Sequence, residues 1–287
     1  MANRDRVETQ LFGVLRILVI VGLLVVTLFP FYYSVLLSLR PLDAVLQDPG
    51  ALLPTDVDLG SYASVLSSAA AGGQGFGVFM ANSAAVALGT VALTLAIALP
   101  GAYAISRLRF FGSRQISVLF LAVYLFPAIL LAVPLFVFFT RIGLRGSLVG
   151  LGIVYVSQIV AVSIYMLRNY FDTVPVSLEE AAAIDGCSRL GIMWRISLPL
   201  AKPAIIANAL FIFMIAWNEF LFALLFLVEE RDRWTVSLGI SQLAGSIEVP
   251  DTVLMAGSVI VTLPIVILFF ASERLLTEGL TAGAEKG

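Results

Sequence analysis

Long apolar stretches separated by shorter polar segments make up most of this chain of 287 residues. A helix needs roughly 20 apolar residues to cross a hydrocarbon core of about 30 Å, and in lipid its backbone groups must bond to one another. The pattern therefore predicts an all-α, polytopic membrane protein with six transmembrane helices. The predicted spans cover residues 11–37, 82–105, 116–139, 148–166, 203–228 and 253–271.

The polar segments between the spans define the predicted loops. Residues 168–202 form the longest loop on one side, and residues 273–287 form a tail on that same side. Residues 40–77, with a short helix predicted at 61–67, and residues 229–251 form loops on the opposite side. These segments are predicted to be connections within one domain that covers 1–287.

The basic residues predict the orientation, because Lys and Arg are retained in cytoplasmic loops. Twelve of the 17 Lys and Arg residues lie on the side of the two termini. The other five are Arg40, Arg141, Arg145, Arg231 and Arg233. Both termini, the 168–202 loop and the tail are therefore predicted to be cytoplasmic.

Composition agrees with a membrane protein and excludes several classes of function. Charged residues make up 13% of the chain, against about 25% in soluble domains, and mean hydropathy is +1.02. A net charge of −2 without a basic patch argues against a nucleic-acid partner. One cysteine, Cys187, and no histidine argue against a disulfide, a common metal site or a histidine-dependent hydrolase. We expect no catalytic residue, metal or cofactor on this chain.

The 168–202 loop contains a predicted helix with several start and stop signals. Ser177 and Glu180 have the spacing of a capping box, and acidic residues near a helix start suit the helix dipole. Residues 181–183 are three alanines, the strongest helix formers. Gly186 permits a sharp C-terminal turn, and a second short helix is predicted after Ser188. The prolines at 199 and 203 lead into the fifth span.

The same loop carries the spacing E-A-A-x3-G-x9-I-x-L-P. Its fixed positions are Glu180, Ala181, Ala182, Gly186, Ile196, Leu198 and Pro199. This motif resembles the loop by which permease subunits of ABC importers dock onto their ATPase. The segment Trp217–Phe220 and the tail 279–287 narrow the resemblance to the carbohydrate branch, and to the second, six-span permease of maltose-type systems.

The resemblance implies a type I ABC-importer permease in a bacterial-type inner membrane. Its partners would be a second homologous permease, two copies of a nucleotide-binding ATPase and an extracytoplasmic solute-binding protein. ATP and Mg would lie on the ATPase, which agrees with the absence of G-x-x-x-x-G-K-[ST] from this chain. The solute would be a di- or oligosaccharide, and the tail would also reach the ATPase.

The loop helix offers an apolar face for such docking. This face is predicted to hold Leu178, as the anchor, with Ala181, Ala182 and Ile184. The alternative is an interfacial helix that rests on lipid headgroups. Such helices are usually rich in Lys and Arg, whereas this one begins with two glutamates, so docking is favoured.

Polar residues inside the spans are candidates for the solute path, because a carboxylate at a helix centre costs roughly 2.5–3.5 kcal/mol on insertion scales. The candidates are Asn218, Glu219, Gln158, Tyr155, Tyr124 and Asn82. Glu219 lies on the path, or it holds its helix to a neighbour through Gln158, Tyr155 or Asn208. For the others, helix packing or an aromatic belt at the membrane surface is the alternative.

Two other functions remain open from the sequence. One is an ABC permease for a non-sugar solute such as a polyamine, an amino acid or phosphate, against which only the tail and the 217–220 segment argue. The other is a self-sufficient secondary transporter or channel, which needs ion-coupling residues beyond one clear intramembrane carboxylate. An intramembrane enzyme lacks a convincing set of catalytic partners.

Overall fold

The computed structural model describes residues 2–54, 56–108 and 110–284, with the backbone alone at residues 2–10, 113, 114, 117, 121 and 274–284. The predicted tail segment 279–287 therefore lies outside the residues whose side chains are described. The described residues contain helices and loops and no β-strand. The predicted all-α class is confirmed.

Fourteen α-helices are present among the described residues. In chain order they are α1 Ala2–Ser38, α2 Leu42–Gln47, α3 Gly60–Leu66, α4 Phe76–Arg107, α5 Ser113–Tyr124, α6 Ala128–Arg141, α7 Leu148–Phe171, α8 Val176–Ile184, α9 Arg189–Ile192, α10 Leu198–Leu200, α11 Lys202–Asn218, α12 Leu221–Leu227, α13 Val236–Ala244 and α14 Asp251–Ala284. Short 3₁₀ turns cover Ala69–Ala71 and Arg231–Arg233, and a π-helical turn covers Met193–Ser197.

Four helices are long and apolar enough to cross a membrane without a break. They are Leu11–Ser38, Phe76–Arg107, Leu148–Phe171 and Asp251–Glu273. Two pairs of helices are each bent at a short break, and the number of spans reaches six if each pair counts as one span. The first pair, Val118–Tyr124 with Ala128–Arg141, bends by 87° where Pro127 precedes α6.

The predicted fifth span, 203–228, is wrong as a continuous helix. The helix α11 ends at Asn218, Glu219 adopts an extended conformation with ψ 127°, and α12 begins at Leu221. The bent pair that passes as a span instead joins Arg189–Leu200 to Lys202–Asn218, at 77°.

The chain divides into two compact units. The first consists of Met1–Gly75 and Leu243–Thr262. In it, two parts of the segment after α1 contact the end of that helix: Tyr33 donates to the carbonyl of Pro49 at 2.8 Å, and the hydroxyls of Ser38 and Tyr62 are bonded at 2.7 Å. The short helix predicted at 61–67 is confirmed as α3.

The second unit consists of Phe76–Gln242 and Leu263–Gly287, and its core is built from α4, α7 and α11. The helices α4 and α7 pack closely along their lengths, and α11 packs against both. At one end of this bundle the core includes Ala102, Tyr103, Leu167 and Phe171. Residues 172–201, called here the 172–201 loop, leave α7 at this end and pack into the same core through Met193 and Leu198.

Candidate functional site

The 172–201 loop begins with the nine-residue helix α8. Pro175 occupies the N-cap position with φ −60°, and no side chain caps the helix. The predicted capping box is therefore wrong: Ser177 and Glu180 both lie inside the helix, and both are exposed. Proline suits the position before the helix because it has no N–H to satisfy and its φ is already fixed.

The helix α8 has one face toward the protein and one face away from it. Glu179 and Ala182 are each 7% exposed, and they share a face because they lie three residues apart. The outward face carries Leu178, Glu180, Ala181, Ala183 and Ile184. Ala182 must therefore be removed from the predicted docking face, whereas Leu178 and Ile184 remain exposed there.

Glu179 is the centre of a buried polar cluster. Its Oε1 accepts from Nε of Arg107 at 2.9 Å and from the hydroxyl of Ser197 at 2.8 Å. Its Oε2 faces the hydroxyl of Tyr103 at 3.4 Å. A buried charge is tolerated when it is paired and its remaining lone pairs are bonded, and this carboxylate meets both conditions.

Arg107 extends this cluster to the end of α7. Its Nη2 donates to the carbonyl of Phe171 at 2.7 Å and to that of Val174 at 2.8 Å. The Phe171 carbonyl, at the end of α7, also accepts from the N–H of Val174 at 3.1 Å, so the guanidinium adds a second donor to this helix end while it holds α8. The ion pair of Arg107 and Glu179 thereby joins the end of α4, the end of α7, the start of α8 and the π-helical turn.

Glu179 and Arg107 were not among the residues predicted for the site. A signal was present, because Arg107 ends a long apolar stretch and two adjacent carboxylates stand in the loop. Nothing local indicated which carboxylate faces the bundle. The motif position Glu180 is the exposed one, and its neighbour Glu179 holds the loop in place.

Gly186 ends α8 in a conformation that suits glycine. Its φ is +84°, its N–H donates to the carbonyl of Ala183 at 3.1 Å, and the N–H of Cys187 donates to that of Ala182 at 3.0 Å. These two bonds form a Schellman motif. A Cβ at position 186 would meet nothing within 4 Å, so the backbone conformation is the constraint on this residue.

The second half of the loop packs back onto the bundle. Ser188 caps α9 by accepting from the N–H of Gly191 at 3.2 Å, which confirms the predicted second helix. Of the three remaining motif residues, Leu198 is buried in the core, Ile196 is half-buried and Pro199 is exposed. The final part of the motif therefore attaches the loop to the protein more than it forms an outer surface.

Glu219 occupies the break between α11 and α12. Its carboxylate accepts from the hydroxyl of Tyr155 at 2.7 Å and from the N–H groups of Phe222 and Ala223 at 2.9 and 3.2 Å. Its carbonyl accepts from the hydroxyl of Ser237 at 2.6 Å. Of the three neighbours named from the sequence, Tyr155 is the one that Glu219 contacts, and the carboxylate also caps α12.

Asn82 lies near the other end of α4, far along the chain from the 172–201 loop. Its amide donates to the carbonyls of Asp232 and Trp234, at 2.9 and 3.0 Å. Ser83 accepts from the N–H of Val236 at 2.8 Å, and the ring of Phe79 packs on Trp234. These contacts attach the 229–236 part of the predicted outer loop to α4. The following nine-residue helix, α13, was not predicted.

The other solute-path candidates have surroundings of their own. Asn218 is exposed and donates to the carbonyl of Met214 at 2.8 Å. Gln158 is half-buried, and its Nε2 lacks a partner among the described residues. Tyr124 lines a small apolar pocket of about 160 Å³ together with Tyr165. Over the described residues, no three His, Cys, Asp or Glu side chains are arranged to hold a metal ion.

Comparison with known proteins places this arrangement in a family. Residues 91–281 match the binding-protein-dependent transport system inner membrane component family. The chain is 37% identical to the inner membrane ABC transporter permease protein YcjP of Escherichia coli, over 92% of this chain and 93% of that protein. It is also 37% identical to the trehalose/maltose transport system permease protein MalG of Thermococcus litoralis, over 95% and 97%.

A solved structure agrees with these relatives. A chain of a bacterial ABC transporter involved in the import of the acidic polysaccharide alginate superposes with a TM-score of 0.78 and 26% identity, over 92% of this chain and 96% of that chain. The match to the family covers most of the chain, including the α8 helix and the Glu219 break. This protein therefore belongs to the family of inner membrane permease components of binding-protein-dependent ABC transport systems.

Proposed function

We propose that this chain is a permease subunit of an ATP-driven importer for a di- or oligosaccharide. The names of similar proteins support the solute class, since they include a trehalose/maltose permease and an alginate importer. The single observation that carries the mechanism is the 172–201 loop, in which an exposed helix face is attached rigidly to the bundle by a buried ion pair. The chain would form half of the solute pathway.

The exposed face of α8 would dock onto a separate ATPase subunit. Leu178 and Ile184 offer apolar contacts, and Glu180 and Gly186 define the charge and the turn of this surface. ATP and Mg would bind to two copies of that ATPase, and this chain would bind no cofactor. When the ATPase dimer closes, movement of α8 would pass through Glu179 and Arg107 to α4 and α7.

The proposed topology has six spans: the four unbroken helices, the bent pair of α5 and α6, and the stretch from α11 to α12. Both termini, the 172–201 loop and the tail from residue 273 would be cytoplasmic. The 40–77 and 229–251 segments would face outward, where they would meet a solute-binding protein. A second, similar permease would complete the pathway within the lipid bilayer, and residues 1–287 would act as one permease domain with no nucleic-acid partner.

Glu219 would act mainly by holding the α11–α12 break in shape. Glu219→Ala should lower the free energy of unfolding by about 1–3 kcal/mol, because it leaves the Tyr155 hydroxyl and two N–H groups without their acceptor. Uptake kinetics should change while the ATPase still associates. Equilibrium unfolding in mixed micelles and ATPase capture are the measurements.

The neighbouring Asn218→Ala is the matched control for stability. Asn218 is exposed and bonds only locally, so its loss should change the unfolding free energy by at most about 0.5 kcal/mol. Equal stability of the Glu219→Ala variant and the native protein would contradict the structural role. A change of uptake in Asn218→Ala at full stability would instead place residue 218 on the solute path.

Affinity purification from native membranes tests the proposed function as a whole. We expect an ATPase and a second permease to accompany this chain, and vesicles that hold the assembly to accumulate labelled oligosaccharide only with ATP and the binding protein. Uptake of a polyamine, an amino acid or phosphate would retain the assignment as an ABC permease and overturn sugar as its solute. Uptake by this chain alone without ATP would overturn the importer in favour of a secondary transporter.

A further inference from the structure

The second half of the 172–201 loop differs in charge from the first half. From Glu179 to Asp185 the loop has three carboxylates and no basic residue. From Arg189 to Lys202 it has three basic residues, Arg189, Arg195 and Lys202, and no carboxylate. All three basic residues are exposed, and no described carboxylate forms an ion pair with any of them.

The backbone sets the direction of this basic half. The segment Arg189–Leu200 lies at 77° to Lys202–Asn218, which continues into the bundle. We take α11 as the member of this bent pair that crosses the bilayer, because its 17 residues are apolar apart from Lys202 and two asparagines. A segment nearly perpendicular to it then runs almost parallel to the membrane surface. It does so at the end of the span, which is the level of the lipid headgroups.

The segment has the two faces of an interfacial helix. Ile192, Met193 and Leu198 are buried, and the last two belong to the core of the bundle. Leu190 and Trp194, one helical turn apart, are 69% and 63% exposed. Large apolar side chains that project from a basic helix are typical of helices that lie in the headgroup region, and tryptophan is enriched there.

We propose that residues 189–202 form a binding surface for anionic phospholipid headgroups. Trp194 and Leu190 insert at headgroup level, and Arg189, Arg195 and Lys202 pair with lipid phosphates. The three positive charges complement lipid phosphates, and the acidic α8 face remains free to dock. The bound lipid holds the second half of the loop at a constant depth, which fixes the position from which α8 projects.

This inference requires only that α11 crosses a membrane, and it does not depend on the nature of the solute. It can therefore be tested on the full chain without the ATPase or a binding protein. Failure of the lipid surface is thus distinguishable from failure of the proposed transport function.

Tryptophan quenching tests insertion. The full chain in nanodiscs is compared with its Trp194→Phe variant, and the difference in fluorescence is the contribution of Trp194. Phosphatidylcholine brominated near the glycerol end of its acyl chains should quench this contribution, whereas lipid brominated near the terminal methyl should not. No quenching by either lipid would contradict insertion at headgroup level.

Binding of phosphatidylglycerol in detergent micelles tests the charge pairing. Arg195→Gln and Lys202→Gln should each weaken binding about fivefold, since a basic residue near an anionic surface contributes about 1 kcal/mol. Arg231→Gln, an exposed arginine outside the segment, is the matched control and should leave the affinity unchanged. Equal affinity in all three variants and the native protein would overturn the proposal.

A photo-cross-linker identifies the neighbour of residue 194 in the assembled importer. Trp194→p-benzoylphenylalanine in native membranes should yield an adduct with phospholipid. An adduct with the ATPase subunit would overturn the lipid proposal and assign the basic half of the loop to that protein.

Discussion

Glu179→Ala should lower the free energy of unfolding by about 3–5 kcal/mol, the usual cost of removing one partner of a buried ion pair. The change leaves the Arg107 guanidinium, whose side chain is 8% exposed, without its carboxylate, and it removes the acceptor of the Ser197 hydroxyl. The loop should lose its fixed orientation, so uptake should be lost too. Equilibrium unfolding in mixed micelles measures the first effect, and vesicle uptake measures the second.

Glu180→Ala is a closely matched control, because it removes the same side chain from the next position of the same helix. Glu180 is exposed, so the unfolding free energy should change by at most about 0.5 kcal/mol. If both variants lost the same stability, Glu179 would not be the residue that holds the loop.

A double-mutant cycle separates the ion pair from the other contacts of its members. Arg107→Ala should cost at least as much as Glu179→Ala, since it also removes the donor to the carbonyls of Phe171 and Val174. The double variant should be more stable than the sum of the two losses predicts, by about 0.5–3 kcal/mol, because neither charge then stays buried alone. Additive losses would argue against a direct interaction.

Substitutions at Gly186 should weaken ATPase docking, and the loss should follow the free energy that each residue needs to adopt a positive φ. At φ +84° alanine costs about 1–2 kcal/mol, which corresponds to about a 5–30-fold loss of the docking conformation. Proline cannot adopt this φ and should abolish docking, whereas asparagine tolerates the left-handed region and should retain most of it. The subunit should still insert, since no Cβ clash arises.

The adjacent Cys187, the single cysteine of the chain, provides the measurement. A bifunctional cross-linker at this thiol should capture the ATPase in the native protein and the asparagine variant, weakly in the alanine variant and not in the proline variant. Glu180→Lys, which reverses a charge on the exposed face of α8, should lower capture without loss of stability. Equal capture in every variant would show that the loop does not dock through this turn.

Local sequence signals located much of the fold and part of the site. Apolar stretches of sufficient length predicted the four unbroken spans to within several residues, because the cost of unbonded backbone in lipid leaves little choice but helix. The alanines and Gly186 located the end of α8, because a positive φ is a local requirement of the turn. The position of the helix start was less accurate, since Pro175 took the role expected of Ser177.

Other features depended on partners distant in the chain. The sequence predicts one helix over residues 203–228 because this stretch contains no glycine and no proline after Pro203. The break arises because the Glu219 carboxylate bonds to Tyr155 and to the first N–H groups of α12. Asn82 is a second example. The sequence shows only a polar residue at the start of a span, because its partners, the carbonyls of Asp232 and Trp234, lie some 150 positions away.

The sequence alone therefore determined the class of protein, the location of its longest spans and the motif on the loop helix, because hydrophobicity, helix propensity and backbone conformation act over a few neighbouring residues. The tertiary structure decided which of two adjacent glutamates is buried. Consecutive residues on a helix point about 100° apart, and only the packing of α4 and α7 beneath α8 turned Glu179 toward Arg107 and left Glu180 exposed.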